Sequence, residues 1–227
     1  MKVFKAAIYH FSYGKPGNPY IRKDNELLLK FARTIGYVDV DTYYDYRTTR
    51  DEHVELDRLL SQIDEYDALF VMNYYNLNRN TLMALGIIKM LHDKGIKVYS
   101  VNESTYLFED TADFNHPLNV VTYYCHWGDH PDEESTLIRN ETLKMFVEKK
   151  TFWNLVGQFS DEMSRGHVGW QEQFENLMNE KDRFDIILVP SFRSLNWQTS
   201  YFCRFKEKLQ KDIYALQGGL LRKEHIV

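Results

Sequence analysis

An internal repeat, with a spacing of about 115 residues, constrains the fold of this sequence more than any other feature. KAAIYHFSYG aligns with NVVTYYCHWG, and YIRKDNELLLKF aligns with TLIRNETLKMF. YDYRTTRDEHV aligns with SDEMSRGHV, and YDALFVMNYYNLNRNT aligns with FDIILVPSFRSLNWQT. TLMALGIIKMLHDKGIKVYSV then aligns with TSYFCRFKEKLQKDIYAL. Five matches in the same order predict a tandem duplication, because strand–helix rhythm alone would not pair Asp45 with Asp161 and His53 with His167.

The repeat predicts two domains, residues 1–113 and 114–227. The chain has 227 residues, which is enough for two domains of about 110 residues each. The segment Glu103–Leu118 has no helical periodicity and is predicted to link the two copies.

Each copy is predicted to be an α/β domain with a mainly parallel sheet of four to five strands flanked by helices. Strands and helices alternate in such a fold, and ligands bind at the carboxyl ends of the strands. The predicted elements of copy one are Val3–Tyr9, Arg22–Thr34, Tyr37–Tyr43, Val54–Ile63, Ala68–Asn73, Thr81–Lys94 and Ile96–Val101. Those of copy two are Asn119–Tyr124, Ile138–Lys149, Trp153–Gln158, Trp170–Met178, Asp185–Val189, Ser200–Lys211 and Ile213–Leu216.

Charge and cysteine content limit the partners of the chain. Its net charge is −5, whereas a protein that binds DNA alone usually has a basic excess, so DNA is a possible partner that the charge does not support. Cys125 and Cys203 have no paired spacing, which favours a reducing, cytoplasmic compartment. The sequence contains neither a signal peptide nor a run long enough to span a membrane, so no membrane partner is expected.

Copy one resembles the catalytic domain of the serine recombinases (resolvases and invertases) from its first strand to about Glu103. Where the family has Tyr-x-Arg-x-Ser-Thr, this chain has IYHFSY, with Ser12 at the nucleophile position and His10 at the arginine position. Asp45 matches the aspartate that ends the second strand, and His53 stands where an arginine opens the next helix. Where the family has Asp-Arg-Leu-Ser-Arg, this chain has YNLNR, and Arg79 matches the last arginine.

The resemblance implies a serine that attacks a DNA phosphate, at a site where most of the charge has been lost. A phosphoryl transition state needs several fixed cations, and arginine is suited to that role. His10, His53 and Asn76 replace three arginines. Ser12, Asp45 and Arg79 are therefore interpreted as remnants of a catalytic site that also includes His10 and His53. The candidate binding residues around this site are Tyr75, Asn76, Arg47 and Arg50.

Two alternatives concern new chemistry. His10 and His53 could support acid–base catalysis near Ser12, or could form local hydrogen bonds only. In copy two, His126 takes the serine position and Trp197 replaces the remaining arginine. The segment CHWGDHPDEE offers Cys125, His126 and His130 as weak candidate metal ligands, although a polar loop without a second ligand group usually faces solvent. No cofactor or metal is expected.

Three functions are compatible with these residues. The leading hypothesis is a degenerate recombinase-like protein, associated with DNA recombination or mobile elements, which acts through protein–protein contacts or by binding phosphate or nucleic acid. The alternatives are an active DNA strand-transfer enzyme that uses Ser12, and a nucleotide- or phosphate-binding module. The two copies are expected to form an intramolecular pseudo-dimer, and a separate protein partner is a further expectation.

Overall fold

The computed structural model describes residues 4–12, 19–46, 53–109, 114–127, 133–163, 172–196 and 198–223. These residues form two compact units that divide between Tyr106 and Leu107. We call the described residues up to Tyr106 unit 1 and the segment Leu107–Lys223 unit 2. The predicted copy boundary after residue 113 stays a prediction.

Unit 1 contains a four-stranded sheet in the order β2-β1-β3-β4, and all its strand pairs are parallel. Its core is formed where α1 packs on the central strands, with Leu28 and Ala32 against Ile8 and Phe70. This arrangement confirms the predicted α/β class and parallel sheet for this unit. The elements are β1 (Lys5–Ser12), α1 (Pro19–Thr34), β2 (Asp39–Tyr46), α2 (Val54–Ser61), β3 (Ala68–Val71), α3 (Thr81–Asp93) and β4 (Lys97–Ser100), with short 3-10 helices at Ile63–Glu65 and Tyr74–Asn76.

Unit 2 has the same alternation and a wider sheet. Its elements are β5 (Tyr106–Glu109, which begins at the division), β6 (Leu118–Trp127), α4 (Glu133–Glu148), β7 (Trp153–Met163), α5 (Glu172–Asn179), β8 (Ile186–Val189), α6 (Thr199–Leu209), β9 (Asp212–Ala215) and β10 (Gly219–Lys223), with 3-10 helices at Lys181–Arg183 and Phe192–Ser194. The strand order is β5-β10-β9-β8-β6-β7. The strands β7-β6-β8-β9 are parallel, and β10 runs antiparallel to β9.

The second sheet has six strands, more than the predicted four to five, because two short strands were not expected. β5 lies inside the segment that was predicted to be a linker. Its sequence, YLFE, alternates in burial, with Tyr106 and Phe108 buried and Glu109 exposed. This is a period of two, which a search for helical periodicity does not detect. β10 follows a turn at Gly218 and Gly219, whose positive φ angles of 151° and 77° favour glycine.

Among the residues that the structure describes, no helix combines the length and the apolar character that a membrane span requires.

Candidate functional site

The candidate residues of copy one lie at the carboxyl ends of β1 and β2, but they point to opposite faces of the sheet. The parallel register places His10 beside Tyr44, Phe11 beside Asp45 and Ser12 beside Tyr46. Side chains alternate between faces along a strand, so His10 and Ser12 share one face. Asp45 and His53 lie on the other face, as their contacts with Tyr9 and Phe11 show.

Asp45 is buried and holds the beginning of α2. Its two carboxylate oxygens each accept a hydrogen bond of 3.0 Å, from the backbone N–H groups of Glu55 and Leu56. The Tyr9 hydroxyl donates a third bond to Asp45, also at 3.0 Å. The residue before α2, His53, makes no capping bond with its side chain. The carboxylate of Asp45, on the neighbouring strand β2, therefore acts as the N-cap of α2. The positive end of the helix dipole favours a carboxylate at this position.

His53 completes this group through Tyr9. Its Nδ1 lies 2.9 Å from the Tyr9 hydroxyl oxygen. Because the Tyr9 hydroxyl donates its own hydrogen bond to Asp45, its oxygen can accept one from His53 in the tautomer that carries a hydrogen on Nδ1. The His53 ring also stacks on Phe11, with 4.7 Å between ring centroids. Burial and the nearby carboxylate of Asp45 raise the pKa of Tyr9 well above its usual value, so its hydroxyl stays neutral.

His10 is buried on the opposite face against α1. Its Nε2–H donates to the Asn25 side-chain oxygen at 3.2 Å, and its ring stacks on Tyr44 with an interplanar angle of 5°. Burial lowers the pKa of His10, although the Asn25 bond and the charge of Asp24 partly oppose this. A histidine with a lowered pKa is neutral at pH 7, so His10 does not replace the charge of an arginine there.

Asn76 closes the short 3-10 helix that follows β3. Its side-chain oxygen accepts from the Asn73 N–H at 3.0 Å, and its amide donates to the Phe11 carbonyl at 3.4 Å. The neighbouring Tyr74 N–H donates to the carboxylate of Glu103 at 3.1 Å. Asn76 is therefore used to fix the loop to the end of β1, and its side chain is almost fully buried.

The surroundings of this loop are acidic. Burial raises the pKa of Tyr75, and the charges of Glu103 and Asp24 raise it further. Arg79 is exposed, at the end of the loop. Arg47 and Arg50 directly follow β2 in sequence and lie outside the described residues.

Unit 2 repeats the hydrogen bonds that Asp45 makes in unit 1. The Tyr123 hydroxyl donates to Asp161 at 3.0 Å, and the Asp161 carboxylate accepts from the N–H groups of Gln173 and Phe174 at 3.0 and 2.9 Å. These two N–H groups belong to the first turn of α5, as those of Glu55 and Leu56 belong to α2. His167 lies outside the described residues.

Cys125 and His126, the two candidate metal ligands of unit 2 that the structure describes, make local hydrogen bonds. Cys125 is buried, and its thiol donates to the His126 carbonyl at 3.6 Å. His126 Nδ1 lies 3.4 Å from the Tyr124 hydroxyl. Within the described parts of the chain, no three His, Cys, Asp or Glu side chains are grouped as ligands of a metal ion would be. His130 is not among those residues.

Three residues that organise the candidate site were not singled out from the sequence. Tyr9 links Asp45 to His53, Asn25 binds His10, and Glu103 holds the loop after β3. The repeat contained a signal for the first of them, since Tyr9 aligns with Tyr123 just as Asp45 aligns with Asp161. Asn25 and Glu103 depend on contacts between distant segments, which no local pattern marks.

Comparison with known proteins finds a family similarity in one part of the chain. Residues 20–121 match the family model of the resolvase N-terminal domain. The N-terminal catalytic domain of TP901-1 integrase is 28% identical over 43% of this chain and 77% of that chain, with a TM-score of 0.37. The C-terminal catalytic domain of ISC1926 TnpA, an IS607-like serine recombinase, is 19% identical over 43% of this chain and 69% of that chain, with a TM-score of 0.38.

Other solved structures align over a longer part of the chain. The Caulobacter myo-inositol binding protein is 13% identical over 93% of this chain and 72% of that chain, with a TM-score of 0.32. No curated protein sequence matches the chain. The match to the family model makes residues 20–121 resolvase-like in sequence.

Proposed function

We propose that this chain has a function related to that of the serine recombinases, as its resolvase-like segment at residues 20–121 suggests. We further propose that it is a degenerate member of that group, which acts through contacts with protein partners, or through residual binding of phosphate or nucleic acid, rather than through strand exchange. Ser12, Asp45, Arg79, His10 and His53 would then be what is left of a catalytic site.

The observation that carries this proposal is that the polar groups of the candidate site are engaged in structural hydrogen bonds. Asp45 holds two N–H groups of α2, and His53 binds Tyr9. His10 is bonded to α1, and Asn76 is bonded to the end of β1. A general base or a phosphate ligand must instead direct its polar atoms at the substrate.

The electrostatics of the described site support the same proposal. A phosphoryl group in transfer carries negative charge on several oxygens and needs fixed cations around it. His10 is neutral at pH 7 because burial lowers its pKa, and Asn76 carries no charge. Glu103 and Asp24 add negative charge next to Tyr75. Loss of one transition-state donor typically slows a reaction by about a hundredfold or more, and three positions have lost theirs.

We also propose that the chain arose by tandem duplication, with copies at residues 1–113 and 114–227. Corresponding contacts in the two units support this proposal. The strand orders β2-β1-β3-β4 and β7-β6-β8-β9 are equivalent. The Lys5 N–H donates to the Asp67 carboxylate at 3.0 Å, and the Asn119 N–H donates to the Asp185 carboxylate at 2.8 Å. A common α/β rhythm does not require these side-chain bonds, so shared ancestry accounts for them better.

A covalent-capture experiment tests the loss of catalysis. The full chain is incubated with pooled, fragmented genomic DNA, the DNA is digested with nuclease, and peptides are searched by mass spectrometry for a nucleotide linked to Ser12. An active serine recombinase treated in parallel shows that the capture works. We expect no adduct on the wild-type chain.

A nucleotide on Ser12, absent from Ser12→Ala and retained in Ser61→Ala, would overturn the proposal in favour of the active enzyme. Ser61 is a matched control because it is an exposed serine at the end of α2. A binding module would be recognised differently, by a rise in melting temperature with inorganic phosphate or nucleotide that Arg79→Ala abolishes.

A further inference from the structure

The carboxyl ends of β6 and β8 form the topological switch point of unit 2. The two strands are neighbours in the sheet, and the chain leaves β6 through α4 toward β7 but leaves β8 through α6 toward β9. In α/β sheets a ligand binds in the crevice beside such a point. The 3-10 helix Phe192–Ser194 follows β8 and lies against β6. The side chains of α4 and of this 3-10 helix therefore decide which ligand the switch point can hold.

Helix α4 supplies an arginine where unit 1 has a carboxylate. The buried residues Leu28 of α1 and Leu143 of α4 occupy equivalent places in the cores of the two units. The same alignment places Arg139 at the position of Asp24. The charge at this point of the helix is therefore reversed between the two units.

The 3-10 helix after β8 supplies a second arginine. It corresponds to the 3-10 helix after β3, which places Arg193 at the position of Tyr75. Burial raises the pKa of Tyr75, and the charges of Glu103 and Asp24 raise it further, so Tyr75 and Asp24 lie near each other in unit 1. By the equivalence of the two units, Arg139 and Arg193 come from positions on the same side of the switch point.

Both guanidinium groups are available to an anion. Arg139 and Arg193 are exposed, and within the described ranges of the chain neither makes an ion pair. Arg139 lies over the Tyr124 ring, with 5.4 Å between its Cζ atom and the ring centroid. Such a contact orients the guanidinium and leaves its N–H groups free to donate. Glu162, beside His126 in the strand register, adds one negative charge at this end of the sheet, against two positive charges from the arginines.

Two buried polar atoms on α4 lack hydrogen-bond partners. They are Thr136 Oγ1 and Asn140 Oδ1, which lie one helical turn apart on the same face. Asn140 stands at the position of Asn25, whose side-chain oxygen is bonded to His10 in unit 1. Unit 2 has Tyr124 at the position of His10, and the Asn140 oxygen receives no donor there. A buried polar atom without a partner costs stability, and a ligand group that bonds to it removes that cost.

We propose that the switch point of unit 2 binds a small phosphate ester whose organic part carries hydroxyl groups, as a sugar phosphate does. The phosphate oxygens accept hydrogen bonds from the guanidinium groups of Arg139 and Arg193, which suit this ligand in charge and geometry. A ligand hydroxyl donates to Asn140 Oδ1, and the Thr136 hydroxyl bonds to the ligand as well. This site goes beyond the proposed function, which leaves any residual phosphate binding around Arg79 in unit 1.

Titration calorimetry of the full chain with ribose 5-phosphate and with inorganic phosphate tests the proposal. We expect both probes to bind, and the ester to bind more tightly. Arg139→Gln and Arg193→Gln should each weaken the binding of both probes about tenfold, because hydrogen bonds to charged groups are the stronger kind. Arg204→Gln is the matched control, since Arg204 is also an exposed arginine over a tyrosine ring, at 5.7 Å from Tyr201 on α6. It should bind as the wild type does.

A second variant tests the contact with the ester hydroxyl. Asn140→Ala should weaken the binding of ribose 5-phosphate about threefold or more and leave the binding of inorganic phosphate unchanged. Circular dichroism spectra of each variant show whether it is folded. A wild type that binds neither probe, or binding that both arginine variants retain, would overturn the proposal.

The remaining outcomes separate this site from the one in unit 1. Inorganic phosphate bound as tightly as the ester would reject the hydroxyl contacts, which are part of the proposal. Binding that Arg79→Ala abolishes and Arg139→Gln retains would place the phosphate in unit 1 and overturn the site in unit 2. Binding that Arg139→Gln abolishes and Arg79→Ala retains supports the site in unit 2, whatever the covalent-capture experiment shows for Ser12.

Discussion

Units 1 and 2 hold the beginning of a helix in the same way but differ at the carboxyl ends of the equivalent strands β1 and β6. Tyr9 and Asp45 in unit 1, and Tyr123 and Asp161 in unit 2, make the same bonds to the first turn of α2 or α5. Three residues after the tyrosine, the serine position holds Ser12 in unit 1 and His126 in unit 2. The residues present in both units have a structural role that is visible in the hydrogen bonds. Among the positions that differ is the one that aligns with the nucleophile of the serine recombinase family.

The tryptophans allow the two units to be measured separately. All four, at positions 127, 153, 170 and 197, belong to the second half of the chain. Tryptophan fluorescence therefore follows the unfolding of unit 2, whereas far-ultraviolet circular dichroism follows both units. A substitution in one unit can therefore be compared with the other unit of the same chain as a reference.

The largest effect is expected when the shared aspartate is replaced. Asp45→Asn and Asp161→Asn should each lower the free energy of unfolding of their own unit by about 2–3 kcal/mol. Each loses a buried charge that accepts two backbone bonds and one tyrosine bond, and bonds to a charged group are the stronger kind. Urea denaturation followed by both signals measures the two losses.

Exposed carboxylates supply the controls for this comparison. Asp57→Asn in unit 1 and Asp182→Asn in unit 2 should change stability by less than about 0.5 kcal/mol. If Asp45→Asn were neutral or stabilising while Asp161→Asn destabilised, the equivalence of the two aspartates would be broken. A functional constraint on Asp45 would then be the better explanation, because active-site residues are often kept at a cost in stability.

The secondary structure could be predicted from the sequence wherever an element has its own strong pattern. The predicted helix Thr81–Lys94 agrees with α3 except for one residue at its end. Both ends carry a sequence signal, since Asn80 caps the first turn and Gly95 follows the last. The strand β5 was missed because the segment that contains it was searched for helical periodicity only, and β10 was missed as well. Their partners in the sheet, rather than their own sequence, make them strands.

The candidate site was less predictable than the fold. The alignment singled out Asp45 and His53, which both bond to the Tyr9 hydroxyl, but it could not show that His10 and Asp45 lie on opposite faces of the sheet. Nor could it show that Asn76 is bonded to the Phe11 carbonyl. Such bonds join residues far apart in sequence, and they decide whether a polar group is available for chemistry or already used.

A second prediction concerns the pH dependence of unit 1, which contains His10 where unit 2 has Tyr124. Burial lowers the pKa of His10 in the folded state, so the unfolded chain binds its proton more readily. Neutral His10 contributes its full stabilisation above the pKa of an unfolded histidine, about 6.5. That stabilisation is lost as the pH falls through the lower pKa that His10 has in the folded chain. His10→Gln should reduce this loss in unit 1. The measurement is the urea midpoint by circular dichroism between about pH 7.5 and 5.

An exposed histidine provides the matched control for this experiment. His116→Gln changes a histidine at the surface of unit 2 and should leave the pH dependence of unit 1 as it is in the wild type. If His10→Gln showed the full wild-type loss on acidification, another group would be responsible, and the contrast between His10 and Tyr124 would have no effect on stability.

The smallest effect is expected from exchanging the caps of α3 and α6. The Asn80 side chain accepts hydrogen bonds from the N–H groups of Leu82 and Met83, at 3.0 and 3.4 Å, whereas Gln198 caps nothing with its side chain. The loops before the two helices share another bond of 2.9 Å. The Asn80 N–H donates to the Asn78 side chain in unit 1, and the Gln198 N–H donates to the Asn196 side chain in unit 2.

Gln198→Asn should therefore stabilise unit 2 by about 0.5–1 kcal/mol, and Asn80→Gln should destabilise unit 1 by a similar amount. Tryptophan fluorescence reports the first change, and circular dichroism reports the second. Gln198→Ala serves as the control, because it removes a side chain that makes no cap and should leave the stability of unit 2 nearly unchanged. If Gln198→Asn gave no gain, the start of α6 would differ from that of α3 by more than its capping residue, and the correspondence between the units would end at this loop.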